Sequence, residues 1–172
     1  SSVKNFIYFS TAHIYGSPLQ GLINESTVPN PAHPYSVTHK KAEEYVLEFD
    51  SKGLISGIVL RLSNGIGAPL NINVNCWYLA SNNFCRQAVT ERKIKITGSS
   101  KQLRDFIPIT SVEDLIEFII DTPSSMQNDK IINVGSGVSM SIYELSNLIA
   151  ERCSVLFGFS PKITIDDTDE EK

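Results

Sequence analysis

Residues 34–46, PYSVTHKKAEEYV, decide how the chain is to be read. Tyr35 opens a segment in which Val37, Ala42, Tyr45, Val46 and Phe49 recur at roughly helical spacing, so an amphipathic helix is predicted to about Asp50. Lys52-Gly53 supplies a basic last turn and a glycine stop. Upstream, NFIYF at 5–9 is a short apolar run of strand character that breaks into Ser10-Thr11, within FSTAHIYG at 9–16. A strand tip carrying two hydroxyls, followed by a helix with a phenol near its start, collects proton-bearing oxygens at one end of a β–α unit.

Working outward, alternating strands and helices are expected. Residues 16–34 hold Gly16, Gly21 and prolines ahead of Tyr35, and read as a loop. ISGIVLR at 55–61 predicts a second buried strand, and SNGIGAP at 63–69 a turn-rich passage. Trp77 to Glu91 has helical character, with Trp77, Ala80, Phe84, Ala88 and Val89 as its apolar side. Lys93–Thr97 alternates like a half-exposed strand, and Phe106–Ile109 predicts a short strand that Pro108 would confine to an edge. Thr110 with Glu113, and Ser141 with Glu144, each have capping-box spacing before a helix. The first helix would bury Val112, Leu115, Ile116 and Ile119, and the second Ile142, Leu145, Leu148 and Ile149. IINV at 131–134 and Lys162–Ile165 complete an α/β chain with a largely parallel sheet.

Bulk properties narrow the function classes. The chain has 172 residues, 41% hydrophobic and 20% charged, with net charge −4, ordinary values for a soluble globular protein. Its lysines and arginines are dispersed, without the basic stripe of a nucleic-acid binder. Cys76, Cys85 and Cys153 make an odd count without CxxC spacing, which favours free thiols in a reducing compartment. No apolar run approaches 18 residues, so no membrane partner is expected and a cytoplasmic location is. His13, His33 and His39 lack metal-ligand spacing, and no metal is expected. No GxSxG elbow occurs.

Five segments in order resemble the extended short-chain dehydrogenase/reductase family, the NAD-dependent nucleotide-sugar epimerases and dehydratases. They are NFIYFSTAHIYG, the Tyr35 segment, LRLSNGIG at 60–67, LRDFIPITSVEDL at 103–115, and IINVGSG followed by SIYEL at 141–145. The resemblance runs from residue 3 to about 165. It implies the second half of a Rossmann-type parallel sheet, residues 1–68 and about 110–135. Residues of about 69–109 and 136–172 would then form a small substrate-binding subdomain. Neither Gly65-Ile66-Gly67 nor Gly135-Ser136-Gly137 has the third glycine of the dinucleotide fingerprint. The expectation is a C-terminal portion of a longer protein, inactive alone. NAD or NADP would be bound mainly by the part ahead of Ser1.

The same resemblance assigns roles. Tyr35 would be the acid/base and Thr11 would share a proton with the substrate oxygen, both touching substrate. The family has a lysine four residues after the tyrosine, which assists the phenol and bonds the nicotinamide ribose. This chain has His39 there, with Lys40 and Lys41 late, and one residue is about 100° of helix. His39 is therefore either a partial stand-in, catalytic and cofactor-binding, or a packed histidine; its ring is shorter, and imidazoles ordinarily titrate near 6.5. Ser10 is a cofactor-side or structural hydroxyl, and Ser63 would lie near the nicotinamide. Asn64, Asn82 and Arg104 would bind the nucleotide-diphosphate sugar, the arginine through its planar fork of donors unless it forms a local salt bridge. The family's dehydratases carry an Asp-Glu pair after the catalytic threonine; Ala12 and His13 stand there. Epimerase or reductase chemistry is thus expected over elimination, the alternative being a nucleotide-sugar-binding relative without turnover. A homodimer through the Tyr35 helix is also implied.

Overall fold

A computed structural model of the chain describes residues 5–19, 21–71, 73–122 and 129–166. The acidic run beyond Asp166 falls outside them. In chain order the elements are β1 (Asn5–Thr11), a 3-10 turn (Ala12–Tyr15), α1 (Pro34–Ser51), β2 (Ser56–Leu62), β3 (Asn64–Ile66), α2 (Ala80–Glu91) and β4 (Lys93–Thr97). They continue with β5 (Leu103–Pro108), α3 (Ile109–Asp121), β6 (Ile131–Val134), β7 (Ser139–Ser141), α4 (Ile142–Phe157) and β8 (Lys162–Asp166). The chain divides into two units: Ser1–Gly65 with Ile107–Ser136, and Ile66–Phe106 with Gly137–Lys172.

The first unit is built on a parallel sheet of order β1-β2-β6. Asn5 to Thr11 pair in register with Ser56 to Leu62, and Val59 to Leu62 with Ile131 to Val134. β2 is the central strand, and its run from Gly57 to Arg61 is buried throughout, as a strand covered on both faces requires. Ile58 and Leu60 pack with Ile107, Val112, Ile119 and Val134 on one face. Each such side chain contributes about 1.5–3 kcal/mol by leaving water. The odd-numbered residues face α1. There Gly57 lets the helix come close: a Cβ on it would lie 2.9 Å from Val46 Cγ1 and 3.2 Å from the Val46 carbonyl oxygen.

α1 starts one residue before Tyr35, with Pro34 at its first position and the His33 ring accepting the Tyr35 N–H. It ends at Lys52, followed by Gly53 with φ +68. Its buried face differs from the expected one. Ser36, Glu43 and Val46 point inward, while Val37, Tyr45 and Phe49 are about half exposed. A carboxylate takes the inward position because Arg61 of β2 waits opposite it. The capping box expected at Thr110 is also absent: Pro108 is the N-cap of α3, without a side-chain hydrogen bond. β5 runs directly into the helix, which leaves Thr110 inside the first turn.

In the second unit, β4 pairs in parallel with β8, and β5 antiparallel with β7. Phe84 and Ala88 of α2, Ile94 and Ile96 of β4, Phe106, and Ile142, Leu145 and Cys153 of α4 form its core. Here the capping box at Ser141 and Glu144 is present in both directions. Trp77 lies ahead of α2 rather than on it, and Val89 and Leu148 are exposed. Among the described residues, no helix is long and apolar enough to cross a membrane.

Candidate functional site

Parallel strands present their C-terminal ends as one edge, the usual place for ligands in an open α/β sheet. In the first unit that edge is formed by Thr11, Leu62 and Val134, which share one register line. Ser63 follows directly, its N–H donating to the Val134 carbonyl at 2.9 Å. Its Oγ is buried without a hydrogen-bond partner among the described residues. A buried hydroxyl left unsatisfied costs about 1–3 kcal/mol, so this atom suits a ligand able to complete its bond.

Thr11 caps the 3-10 turn: its Oγ1 accepts the His13 N–H at 3.2 Å. The hydroxyl keeps a second lone pair and its own proton for other chemistry. Ala12 and His13, the positions where elimination groups would stand, lie in that turn. Ser10 faces the other way and donates to Glu43 Oε1 at 2.6 Å. Glu43 is 0% exposed and takes two further bonds from Arg61, Nε to Oε1 at 3.0 Å and Nη2 to Oε2 at 2.7 Å. Arg61 Nη1 donates to the Tyr15 hydroxyl at 2.7 Å, which donates in turn to Asn133 Oδ1 at 2.7 Å. The Asn133 N–H donates to Glu25 Oε1. This chain of bonds, charge-assisted at Glu43, Arg61 and Glu25, ties β1, the 3-10 turn, α1, β2, β6 and the long loop to one another.

One turn earlier on α1 the chemistry changes. Tyr35 is 51% exposed, and its ring meets the His39 ring edge-on with centroids 4.5 Å apart. His39 Nδ1 is 2.9 Å from the hydroxyl of Tyr8, a residue of β1 on the same face as Ser10. Burial, then the Glu43 carboxylate and the Tyr35 phenol, push the Tyr8 phenol above its ordinary value. Lys40 and Lys41 both turn to Glu44, at 3.5 and 2.8 Å, leaving His39 as the basic group against Tyr35. The three rings form a half-open cluster in which the phenol of Tyr35 reaches solvent.

The remaining candidates are spread more widely. Asn64 lies on β3 in the first unit. Asn82 and Arg104 belong to the second unit. Asn82 Nδ2 donates to the Gly67 carbonyl at 3.3 Å. Arg104 donates through Nε and Nη2 to Gln102 Oε1, at 3.2 and 2.8 Å, a neutral partner. Sequence reasoning singled out neither Tyr8 nor the Glu43–Arg61 pair. The available signals were Tyr8 two residues before Ser10 on one strand face, and an arginine inside a buried strand, which demands a carboxylate. Among the described residues, no cluster of three His, Cys, Asp or Glu could hold a metal ion.

Comparison with known proteins adds the family. The model described as NAD dependent epimerase/dehydratase family matches residues 1–135. GDP-6-deoxy-D-talose 4-dehydrogenase of Aggregatibacter actinomycetemcomitans is 30% identical over 83% of this chain and 45% of its own length. Human dTDP-D-glucose 4,6-dehydratase is 28% identical over 84% of this chain and 39% of its own. The chain therefore spans less than half of either relative. Among solved structures, UDP-glucose 4-epimerase of Thermus thermophilus, in complex with NAD, superposes with a TM-score of 0.76. It is 18% identical and is covered over 50% of its chain against 94% of this one, which places the fold in the Rossmann class.

Proposed function

Because the chain belongs to the NAD dependent epimerase/dehydratase family, we propose that it supplies the catalytic edge of a nucleotide-sugar epimerase or related oxidoreductase, with Tyr35 as its acid/base. The observation that carries this reading is the exposed Tyr35 phenol set against His39, at the position of the family's lysine, on the helix that follows the hydroxyl-bearing strand tip.

Tyr35, as phenolate, takes the hydroxyl proton of a substrate carbinol, and as phenol returns it. Thr11 hydrogen-bonds the same oxygen and holds it in place. A bound nicotinamide cofactor, NAD or NADP, would supply hydride acceptor and donor chemistry for the carbinol carbon. Ser63 Oγ and His39 bind on the cofactor side, Ser63 because its buried oxygen awaits a partner. Ser10 is committed to Glu43 and acts by holding the strand tip. Asn64, Asn82 and Arg104 bind the nucleotide-diphosphate sugar, Arg104 by exchanging the neutral Gln102 oxygen for diphosphate, a stronger charge-assisted acceptor. With alanine at the first elimination position, hydride and proton exchange is favoured over loss of water. Val37, Tyr45 and Phe49, exposed along α1, support pairing of two copies through that helix.

The whole protein, incubated with NAD or NADP and a panel of nucleotide sugars, is expected to interconvert a sugar stereocentre or its keto form without losing water. A dehydrated keto-deoxy product would overturn the epimerase reading. Tight sugar binding without any turnover would replace it with a binding role. His39→Lys is expected to raise turnover, most of all above pH 7, because an ammonium stays charged where an imidazole ordinarily does not. No gain at any pH would remove the cationic role from His39. Sedimentation of the whole protein as a monomer at micromolar concentration would exclude the pairing.

A further inference from the structure

A hydrogen bond joins Tyr8 to His39, the ring that stands where the family has its lysine. A lysine ammonium has three rotatable donors and needs no help to offer one. An imidazole has two nitrogens in fixed directions, and when neutral only one of them carries a proton. Which nitrogen it is depends on the bond that the other makes. Here the other bond is in place: the Tyr8 hydroxyl lies 2.9 Å from Nδ1.

We propose that Tyr8 is a positioning residue which keeps the His39 Nε2–H a hydrogen-bond donor in both charge states of the ring, preserving the donor half of the missing lysine's role. The proposal rests on the functional reading above, in which His39 faces the cofactor. Valence makes the device work, because a phenol can either donate or accept. Against neutral His39 the Tyr8 O–H donates to bare Nδ1, so the ring proton sits on Nε2. Against cationic His39 the Tyr8 oxygen accepts the Nδ1–H, and Nε2 is again protonated. Gain or loss of charge is absorbed entirely at Nδ1 by reversal of one hydrogen bond.

Two observations make Tyr8 suited to this. It is part-buried on β1, held by the sheet register beside Val59, so its hydroxyl is fixed by a strand and not by a loop. Burial and the Glu43 carboxylate keep the phenol in its protonated form, so it has a proton to donate. The ring of Tyr35, edge-on at 4.5 Å, packs against the same imidazole and limits its rotation. The titratable groups on elements packed against this turn are Tyr8 of β1, His13 and Tyr15 of the 3-10 turn and Arg61 of β2. On α1 itself they are Tyr35, Lys40 and Glu43. Arg61 is bound to both Tyr15 and Glu43, and Lys40 to Glu44.

The experiment compares the whole protein with its Tyr8→Phe variant by nitrogen-15 NMR of the histidine rings from pH 5 to 9. In the wild type the His39 signal that moves on titration is expected to be Nδ1, with Nε2 protonated throughout. In Tyr8→Phe the neutral ring is expected to become a mixture of tautomers, so that both nitrogens shift. In turnover assays the variant's KM for the nicotinamide cofactor should rise several-fold, with KM for the nucleotide sugar and the melting temperature little changed. A wild-type ring in which Nε2 loses its proton would overturn the proposal, as would a Tyr8→Phe ring with an unaltered tautomer. An altered tautomer with unchanged cofactor KM would instead uphold Tyr8 as the group that sets the ring, while removing His39 from the cofactor side. Failure of this inference and failure of the functional reading are thereby separate results.

Discussion

Glu43 and His39 stand one turn apart on the same side of α1, and both reach side chains of β1, yet they do opposite things. Glu43 is sealed: its two carboxylate oxygens take three bonds, from Ser10 and Arg61, and neither residue of the ion pair has appreciable exposure. His39 is open, set against a tyrosine that is half in solvent and bonded through Tyr8 at one nitrogen. A fully bonded buried charge cannot exchange partners without great cost, so it fixes where the helix sits. A half-exposed ring cluster can exchange partners cheaply, which suits the proton transfer proposed for Tyr35. The closed turn holds the open one in place.

The largest expected effect tests the closed turn. Glu43→Ala would strand the Arg61 guanidinium without its carboxylate, and breaking a buried pair typically costs about 3–5 kcal/mol. Urea denaturation of the variant should register a loss of that order, and a loss below about 1 kcal/mol would mean that the network does not hold the helix. Next, Gly57→Ala would drive a methyl against Val46 and Asp50, the latter's Cβ at 3.3 Å. Overpacking of this kind costs about 1–3 kcal/mol; a wild-type melting temperature would show that α1 can move off the sheet.

A smaller, pH-dependent effect is expected at Asp50, which receives the Gly57 N–H at 2.9 Å and the Lys130 ammonium at 3.0 Å. Burial alone would raise its pKa, but these two partners outweigh it and hold the carboxyl below its ordinary value. A depressed folded-state pKa contributes stability that is present above the unfolded value, about 3.9, and is lost as pH falls through the folded one. Asp50→Asn should therefore cost on the order of 1 kcal/mol at pH 7. The gap to wild type should close below about pH 4. A gap that stays constant into acid would exclude the ionic origin.

Local signals in the sequence are enough for elements that carry their own boundaries. Lys93–Thr97 alternates one residue in, one out, and Ser141 with Glu144 announces its helix; both are present as expected. The three-residue strands β3 and β7 are not legible, because so short a strand is defined by its distant partner and not by its own residues. Periodicity mistakes the inward face of α1 for the same reason. It groups Val37 and Phe49 with Val46 on one apolar stripe, but Glu43 takes the inward place through an arginine 18 residues away. At the site, Tyr35 and His39 are legible through the family resemblance, which marks a tyrosine and the position four residues after it. Tyr8 is legible only as a residue on the Ser10 face of its strand, and nothing local to it anticipates a hydrogen bond to a residue 31 positions on.

The central claim, that the open turn acts while the closed turn holds, is tested most directly by Tyr35→Phe in the whole protein. Turnover of nucleotide sugar and thermal melting would be measured on the same preparation. Removing one exposed hydroxyl should change stability by less than about 0.5 kcal/mol. Removing the acid/base should lower turnover about 10²–10⁴-fold, with sugar binding retained. Unchanged turnover with a wild-type melt would contradict the account, and would leave the ring cluster as packing at the start of a helix.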